Sequence, residues 1–525
     1  MKATMTDDRS RSSAPLLYQK LADELEAQIR RGAYGSGERM PSVRQLHRER
    51  TVSIGTASEA FAELERRGLI EARPRSGYFA TPPERVFASP PVERGRLHPR
   101  PVPFDSLTDE FVTVSADPSL VPLGGAVLGP DLVPLRHLAR LTREVLGRRP
   151  EILARYGPPN GALELRREIA KRMLPLGVTV PVEHVVVTSG CLDAIRIAIA
   201  SVAKPGDIIA VESPTFFGFL QLLRGAGLKI IEVPVDPLTG IDLDLLERTA
   251  RRHRIRAVLV TPNFQNPTGG TMPDAHKIRL GQMARKRGFT IIEDDVYGDL
   301  HHQPRRPPPI AALVHDADII YCSSMSKTLA AGLRIGWMIP GHHLRQASGL
   351  KLGSIIASPG LNQLVLAEFL AAGSYSRHIR KLRLALKAQM VALTRALAQH
   401  LPPGCRMTSP EGGFLIWVML DEKRDALAVY EAALRLGVTV MPGQLCAIDD
   451  RYRSYLRISC GFPWTPRLDQ GVRRVGAAIK SVPGEAVEPC GVPLPHQSRS
   501  AALRRPRNAP DSCRSDEKRH GREKK

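Results

Sequence analysis

Cysteine is scarce in this 525-residue chain, and what there is does not pair. Cys191, Cys322, Cys405, Cys446, Cys460, Cys490 and Cys513 are scattered and odd in number, with no CxxC and no ligand-like Cys/His spacing. That speaks against a disulfide framework and against a metal site, and for a reducing, cytoplasmic setting. Long apolar runs are missing as well. Stretches such as CLDAIRIAIASVA are short and broken by charge, and the opening MKATMTDDRSRSS carries Asp7 and Asp8 with no apolar core. A bilayer span and a secretory signal are therefore not expected. Internal repeats are absent too.

What the chain does have is length and positive charge. Its length predicts two or three folding units. The 75 Lys and Arg against 53 Asp and Glu, a net +22, call for an anionic partner. Residues 1–13 read as a disordered start and 14–81 as a dense helical module closed by short strands. Residues 82–115, with PPERVFASPPVERGRLHPRP, read as a weakly structured proline-rich linker. From 116 to 482 apolar strands alternate with helices: HVVVT, DIIAVE, KIIEV, RAVLVT, FTIIED, DIIYCS, RIGWMI. This predicts an α/β domain with a largely parallel sheet covered on both faces. Residues 483–525 read as a disordered basic tail.

In the first module Leu17, Leu21, Leu25 and Ile29 recur at helical spacing. Pro41 and Ser42 start a second helix, and Ser53 caps a third that turns Ala57, Phe61 and Leu64 inward. A turn at Ser76-Gly77 then makes a two-stranded wing. Such a winged helix-turn-helix reads DNA when its last helix enters the major groove. Arg44, Ser53 and Thr56 are its candidate contacts there, with Arg73, Arg75 and Gly77 on the wing. The same pattern also serves a small docking or dimerisation domain, and residues 14–81 carry only 11 Lys and Arg against 9 Asp and Glu.

In the large domain four polar clusters each follow an apolar strand: TSGCLDA (188–194), NFQNPTGG (263–270), EDDVYGD (293–299) and SSMSKT (323–328). The carboxyl ends of parallel strands line a common crevice, so these clusters converge. Their chemistry suits a phosphorylated aromatic aldehyde. A lysine forms a Schiff base, a carboxylate holds a pyridinium nitrogen, and helix-start N–H groups with hydroxyls and an arginine hold a phosphate. Singly, each cluster is an ordinary surface lysine, cap or loop.

The segment from PLLYQKLADEL to RPRSGYF resembles the winged helix-turn-helix of GntR-type regulators, with Thr51 where a turn glycine is common and Ile54 where many members have an arginine. Residues 116–480 resemble fold-type I aminotransferases, and the two together resemble the MocR subgroup. The resemblance implies a mostly parallel sheet with a smaller C-terminal α/β subdomain, and pyridoxal 5'-phosphate as cofactor. SSMSKTLAAGLRIGW makes Lys327 the implied Schiff-base lysine, with Ser324, Ser326 and Arg334 on the phosphate. Asp294 is implied to pair with the ring nitrogen, Tyr297 and Asn266 with the phenolic oxygen, and Phe216 to stack on the ring. Ser189, Gly190, Cys191 and Leu192 form the phosphate turn, where Leu192 stands in place of the usual glutamine. Tyr156 is implied to reach a neighbouring subunit's phosphate. Arg457 is implied to bind an amino acid's carboxylate, with Gly125 alongside.

The function these features imply is a DNA-binding transcriptional regulator. Its aminotransferase-like domain senses pyridoxal phosphate or an amino compound, as a homodimer on double-stranded operator DNA. The alternative is an active aminotransferase with an accessory winged helix. No membrane partner is expected, and His301, His302, His342 and His343 read as loop residues.

Overall fold

The computed structural model describes residues 17–30, 34, 38–66, 69–73, 76–80, 87–95, 97–103, 106–421 and 424–484. Arg75, the opening segment 1–13 and the tail from 485 onward lie outside the described residues.

Three helices, Leu17–Arg30, Val43–Arg50 and Ile54–Arg66, each bury one apolar stripe. Leu21, Leu25, Ile29, Leu46, Ala57, Phe61 and Leu64 close on a single small core. Leu17 does not join it: at the helix's first residue it is 60 % exposed. Ser42 Oγ accepts from the Gln45 N–H at 3.1 Å and Ser53 Oγ from the Thr56 N–H at 3.0 Å, so both expected caps form. Between these helices Thr51 takes a left-handed φ of 52°. The wing pairs Ile70–Arg73 with Gly77–Ala80 in antiparallel register, and the Met40 N–H donates to Tyr78 C=O at 2.8 Å.

The large sheet has five parallel strands in the spatial order Lys229–Asp236, Ile208–Ser213, Ile255–Val260, Thr290–Asp294, Ile319–Ser324. Their side chains divide with period two. Ile209, Val211, Ala257, Leu259, Ile292 and Ile320 enter one core; Ala210, Val258, Val260 and Ile291 enter the other. Both faces are thus covered, as the unbroken apolar runs require. Gly336–Ile339, from RIGWMI, runs antiparallel to its neighbours, and Val186–Thr188 closes the sheet beside it. The reversed strand therefore begins at the edge where the parallel strands end.

The smaller subdomain is an antiparallel sheet of Arg406–Met407, Leu415–Met419, Tyr455–Ser459 and Met441–Pro442. The helices Ser374–His400, Ala426–Arg435 and Pro466–Ser481 pack with it. Among the described residues no helix is long and apolar enough to cross a membrane.

The proline-rich stretch is not a loose linker throughout. Arg100–Pro101 pair with Ile230 and Lys229, and Leu107–Ser115 is a helix that buries Phe111. The Ala88 carbonyl accepts from the Met407 N–H at 3.2 Å, and the Glu93 carboxylate accepts from the Tyr455 hydroxyl at 2.7 Å. Arg100 donates both to Glu232 of the large lobe, at 3.2 Å, and to Asp449 of the small lobe, at 3.0 Å. Proline withholds backbone donors but leaves such side-chain anchors intact. The segment straps the two lobes together.

Candidate cofactor site and winged-helix surface

A cleft opens at the carboxyl edge of the parallel strands. Phe216, Asn266, Asp294, Tyr297, Ser324, Ser326, Lys327, Arg334, Cys191 and Leu192 line it. These residues come from separate strand ends. Arg334 arrives because it precedes the reversed strand Gly336–Ile339.

Lys327 Nζ donates to the Ala126 carbonyl at 2.7 Å. Burial, aided by Arg457 and opposed by Asp294, pushes its amine down to about 8. A tenth or so of such an amine is neutral at pH 7, which is the form that attacks a carbonyl. Asp294, at the end of its strand, is driven the other way. Burial raises it to about 7, against a hydrogen bond from the Cys191 thiol, whose Sγ lies 3.2 Å from Oδ1. Burial also pushes that thiol well up, so it remains a donor.

On the phosphate side the helix Cys191–Val202 starts from Gly190 with no side-chain cap, and Gly190 has φ +101°. A Cβ there would stand 2.6 Å from Arg334 Nη2, and Arg334 donates to the Ser189 carbonyl at 2.8 Å. The Ser189 N–H is taken by Asp193 at 3.0 Å, leaving the helix-start N–H groups beyond it for an anion. The buried Ser326 hydroxyl has no hydrogen-bond partner among the described residues, and neither do the Tyr297 hydroxyl and Arg457 Nε. Unsatisfied buried polar atoms are costly, and their gathering here fits a polar ligand. The donor set suits a phosphorylated pyridine aldehyde: an amine, a carboxylate, an uncapped helix start with a guanidinium, and a phenol beside an amide.

Arg457 lies on the small-lobe strand, 1 % exposed. It donates to Asn266 Oδ1 at 2.8 Å and to the Gly124 carbonyl at 2.6 Å. Gly124 must be glycine, since a Cβ would come within 2.9 Å of the Val440 backbone, whereas Gly125 faces open space beyond Val127. Tyr156 does not enter this chain's cleft and is 81 % exposed. Thr261, Ile195, Phe219 and Val296 also line the cleft and were not singled out from the sequence. Thr261 directly follows Ile255–Val260, so the strand-end rule could have found it; the Ala126 carbonyl carries no sequence signal. At the opposite edge His343 Nε2 lies 2.9 Å from Asp318 Oδ2, with His342 beside it.

On the winged helix Arg44, Ser53 and Gly77 are exposed and Thr56 half-buried. The Ser53 and Thr56 hydroxyls lie 2.8 Å apart. Arg73 pairs with Glu71 at 2.6 Å and sits 4.3 Å over the Phe79 ring. Ile54, first in the third helix, is 53 % exposed.

Comparison with known proteins matches both halves. Residues 17–79 match the model for bacterial regulatory proteins of the gntR family, and residues 134–474 that for class I and II aminotransferases. An uncharacterized HTH-type transcriptional regulator of Escherichia coli, YjiR, is 36 % identical over 88 % of this chain and 98 % of its own length. A second from the same organism, YdcR, is 33 % identical over 88 % and 99 %. Among solved structures, the α-aminoadipate aminotransferase LysN of Thermus thermophilus, complexed with N-(5'-phosphopyridoxyl)-L-leucine, superposes with a TM-score of 0.67. It is 29 % identical, and the match covers 72 % of this chain and 95 % of LysN. With a capped winged helix in front and a strand-end cleft behind, the chain belongs to the GntR-type regulators that carry a class I/II aminotransferase domain, the MocR architecture.

Proposed function

We propose that the chain is a DNA-binding transcriptional regulator, acting as a homodimer, whose large domain holds pyridoxal phosphate covalently through Lys327 and responds to an amino-acid or amine effector. One observation carries the reading: a buried amine lowered to about 8 faces a carboxylate raised to about 7 across a cleft with an uncapped helix start. When bound, the cofactor supplies an aldehyde that exchanges amines and an electron-withdrawing ring. Asp294 would hold the ring nitrogen's proton, and Tyr297 and Asn266 would bond the phenolic oxygen. Ser189, Gly190, Cys191, Leu192, Ser324, Ser326 and Arg334 would bind the phosphate, with Phe216 against the ring. Tyr156, exposed on this chain, supports a site completed by a second copy.

Arg457 supports the choice of effector. Its guanidinium is held by Asn266 and Gly124, and a carboxylate is the anion its fork fits, with Gly125 alongside. Binding there would pull on the strand that also carries Tyr455, which holds Glu93 of the strap. An effector thus gains a differential affinity for two lobe arrangements, which a switch requires. On the winged helix, Arg44, Ser53, Thr56, Arg73, Arg75 and Gly77 are the proposed operator contacts.

The test is a mobility shift on the chain's own upstream DNA, with and without pyridoxal phosphate and a panel of amino acids. A shift altered by cofactor and effector is expected. Borohydride should fix the cofactor to the parent and not to Lys327→Ala. The second reading, a working aminotransferase, is favoured by the completeness of Lys327, Asp294 and Arg457. Rapid multiple turnover together with no DNA shift would select it.

A further inference from the structure

The module read as DNA-binding is not where the excess charge sits. Residues 14–81 hold 11 Lys and Arg against 9 Asp and Glu, whereas residues 116–482 hold 47 against 31. Part of that excess is concentrated. Between Asp318 and Glu411 the sequence has one acid, Glu368, and it is paired with Arg148 at 2.6 Å. The 27-residue helix Ser374–His400 lies in this stretch and carries six cations and no acid.

Arg377, Arg380, Lys381 and Lys387 are exposed, and their spacing puts them, with Leu384, on one face within an arc of about 120°. The opposite face, with Ile379, Leu382, Leu386 and Leu393, is buried. Among the described residues Arg377 bonds only the Ala372 carbonyl and Ser374, at its own helix start. Arg380, Lys381 and Lys387 form no ion pair among the described residues. This face works against the helix. Three cations in its first two turns oppose the positive end of the helix dipole, and Arg377 and Lys381 place like charges one turn apart. A face that breaks local rules without structural compensation marks a function. The charge is an isolated point array on a rigid element, suited to phosphates along a backbone. Its main apolar face is already in the core, and the exposed Leu384 and Val391 are too small an apolar surface to insert in a membrane.

We propose that the Arg377–Lys387 face is a second DNA-contact surface, binding backbone phosphates of duplex outside the base pairs read by the winged helix. The inference rests on the regulatory reading above. Such contacts carry no sequence information; they raise affinity and its salt dependence.

The experiment titrates the full-length protein with a fluorescent duplex of its own upstream region at several KCl concentrations. It is repeated with the triple variant Arg380→Ala/Lys381→Ala/Lys387→Ala and with the charge-keeping Arg380→Lys/Lys381→Arg/Lys387→Arg. Each phosphate contact contributes about 0.9 to the slope of log K against log salt, so the alanine variant should be shallower by about 2 to 3 for each protomer on the duplex, about 5 for a dimer engaging both faces. The charge-keeping variant should match the parent. Discrimination between the upstream DNA and a scrambled duplex should hardly change. An unchanged slope with binding retained overturns the inference and leaves the regulator standing. Loss of binding to phosphatidylserine vesicles, with an unchanged DNA slope, overturns it in favour of a membrane. No binding of either duplex by the parent overturns the regulatory reading, and this with it.

Discussion

Replacing Asp294 by Asn tests whether the cleft is built around a charge it cannot hold alone. Asp294 is 6 % exposed and faces Asp295 and Lys327, with hydrogen bonds from the Cys191 thiol and the Val296 backbone. Burial dominates and raises the carboxyl from 3.8 to about 7. In the unfolded chain it ionises near 3.9. Because the folded value is the higher one, its contribution to stability is full below about pH 4 and is lost as pH rises through about 7. A rise of about three pH units gives about 4 kcal/mol at pH 7.5 and about 2 kcal/mol at pH 5. Asn has nearly the same shape and no charge, so it avoids this loss. In urea titrations of cofactor-stripped protein, Asp294→Asn should be the more stable at pH 7.5, with an advantage that shrinks by about 2 kcal/mol at pH 5. The lost thiol contact shifts both points alike, which leaves the difference as the measure. An advantage of equal size at both pH values refutes the argument. With pyridoxal phosphate added the order should invert, because a bound ligand stabilises only the form that binds it.

Three further perturbations follow from particular geometries. Gly190→Ala sets a Cβ against Arg334 at a φ of +101°, and equilibrium dialysis should show cofactor affinity at least about tenfold weaker with DNA binding retained. Thr51→Gly relieves a β-branched residue at a φ of +52°; a gain of up to about 1 kcal/mol in the winged helix's thermal unfolding is expected, and a loss counts against strain there. Arg100→Ala removes the strap's bridge to both Glu232 and Asp449. Effector addition should still change the cofactor's absorbance, but the accompanying change in DNA affinity should largely disappear.

Much of the architecture is legible without the structure, for a definite reason. Helical stripes, caps such as Ser42 and Ser53, and strands apolar on both faces are local patterns, and the strand-end rule then gathers Lys327, Asp294 and Arg334. What is hidden depends on partners far along the chain. The reversal of Gly336–Ile339 leaves no trace in its composition. The anchoring of Glu93 on Tyr455 joins residues 362 positions apart. Cys191 reads as a neutral member of the phosphate turn, and only the fold shows its thiol on Asp294. Leu17 fails for a simpler reason: a periodic pattern does not say where the core ends.

The strap also sets a leash. The wing's last strand ends at Ala80, and the first described residue packed on the large domain is Phe87. Seven peptide steps span at most about 25 Å by covalent geometry alone. A tether of that reach keeps each reading head at high effective concentration near its domain. In a dimer it would restrict the distance between two heads, so operator half-sites moved apart by a full helical turn should test the leash rather than base recognition.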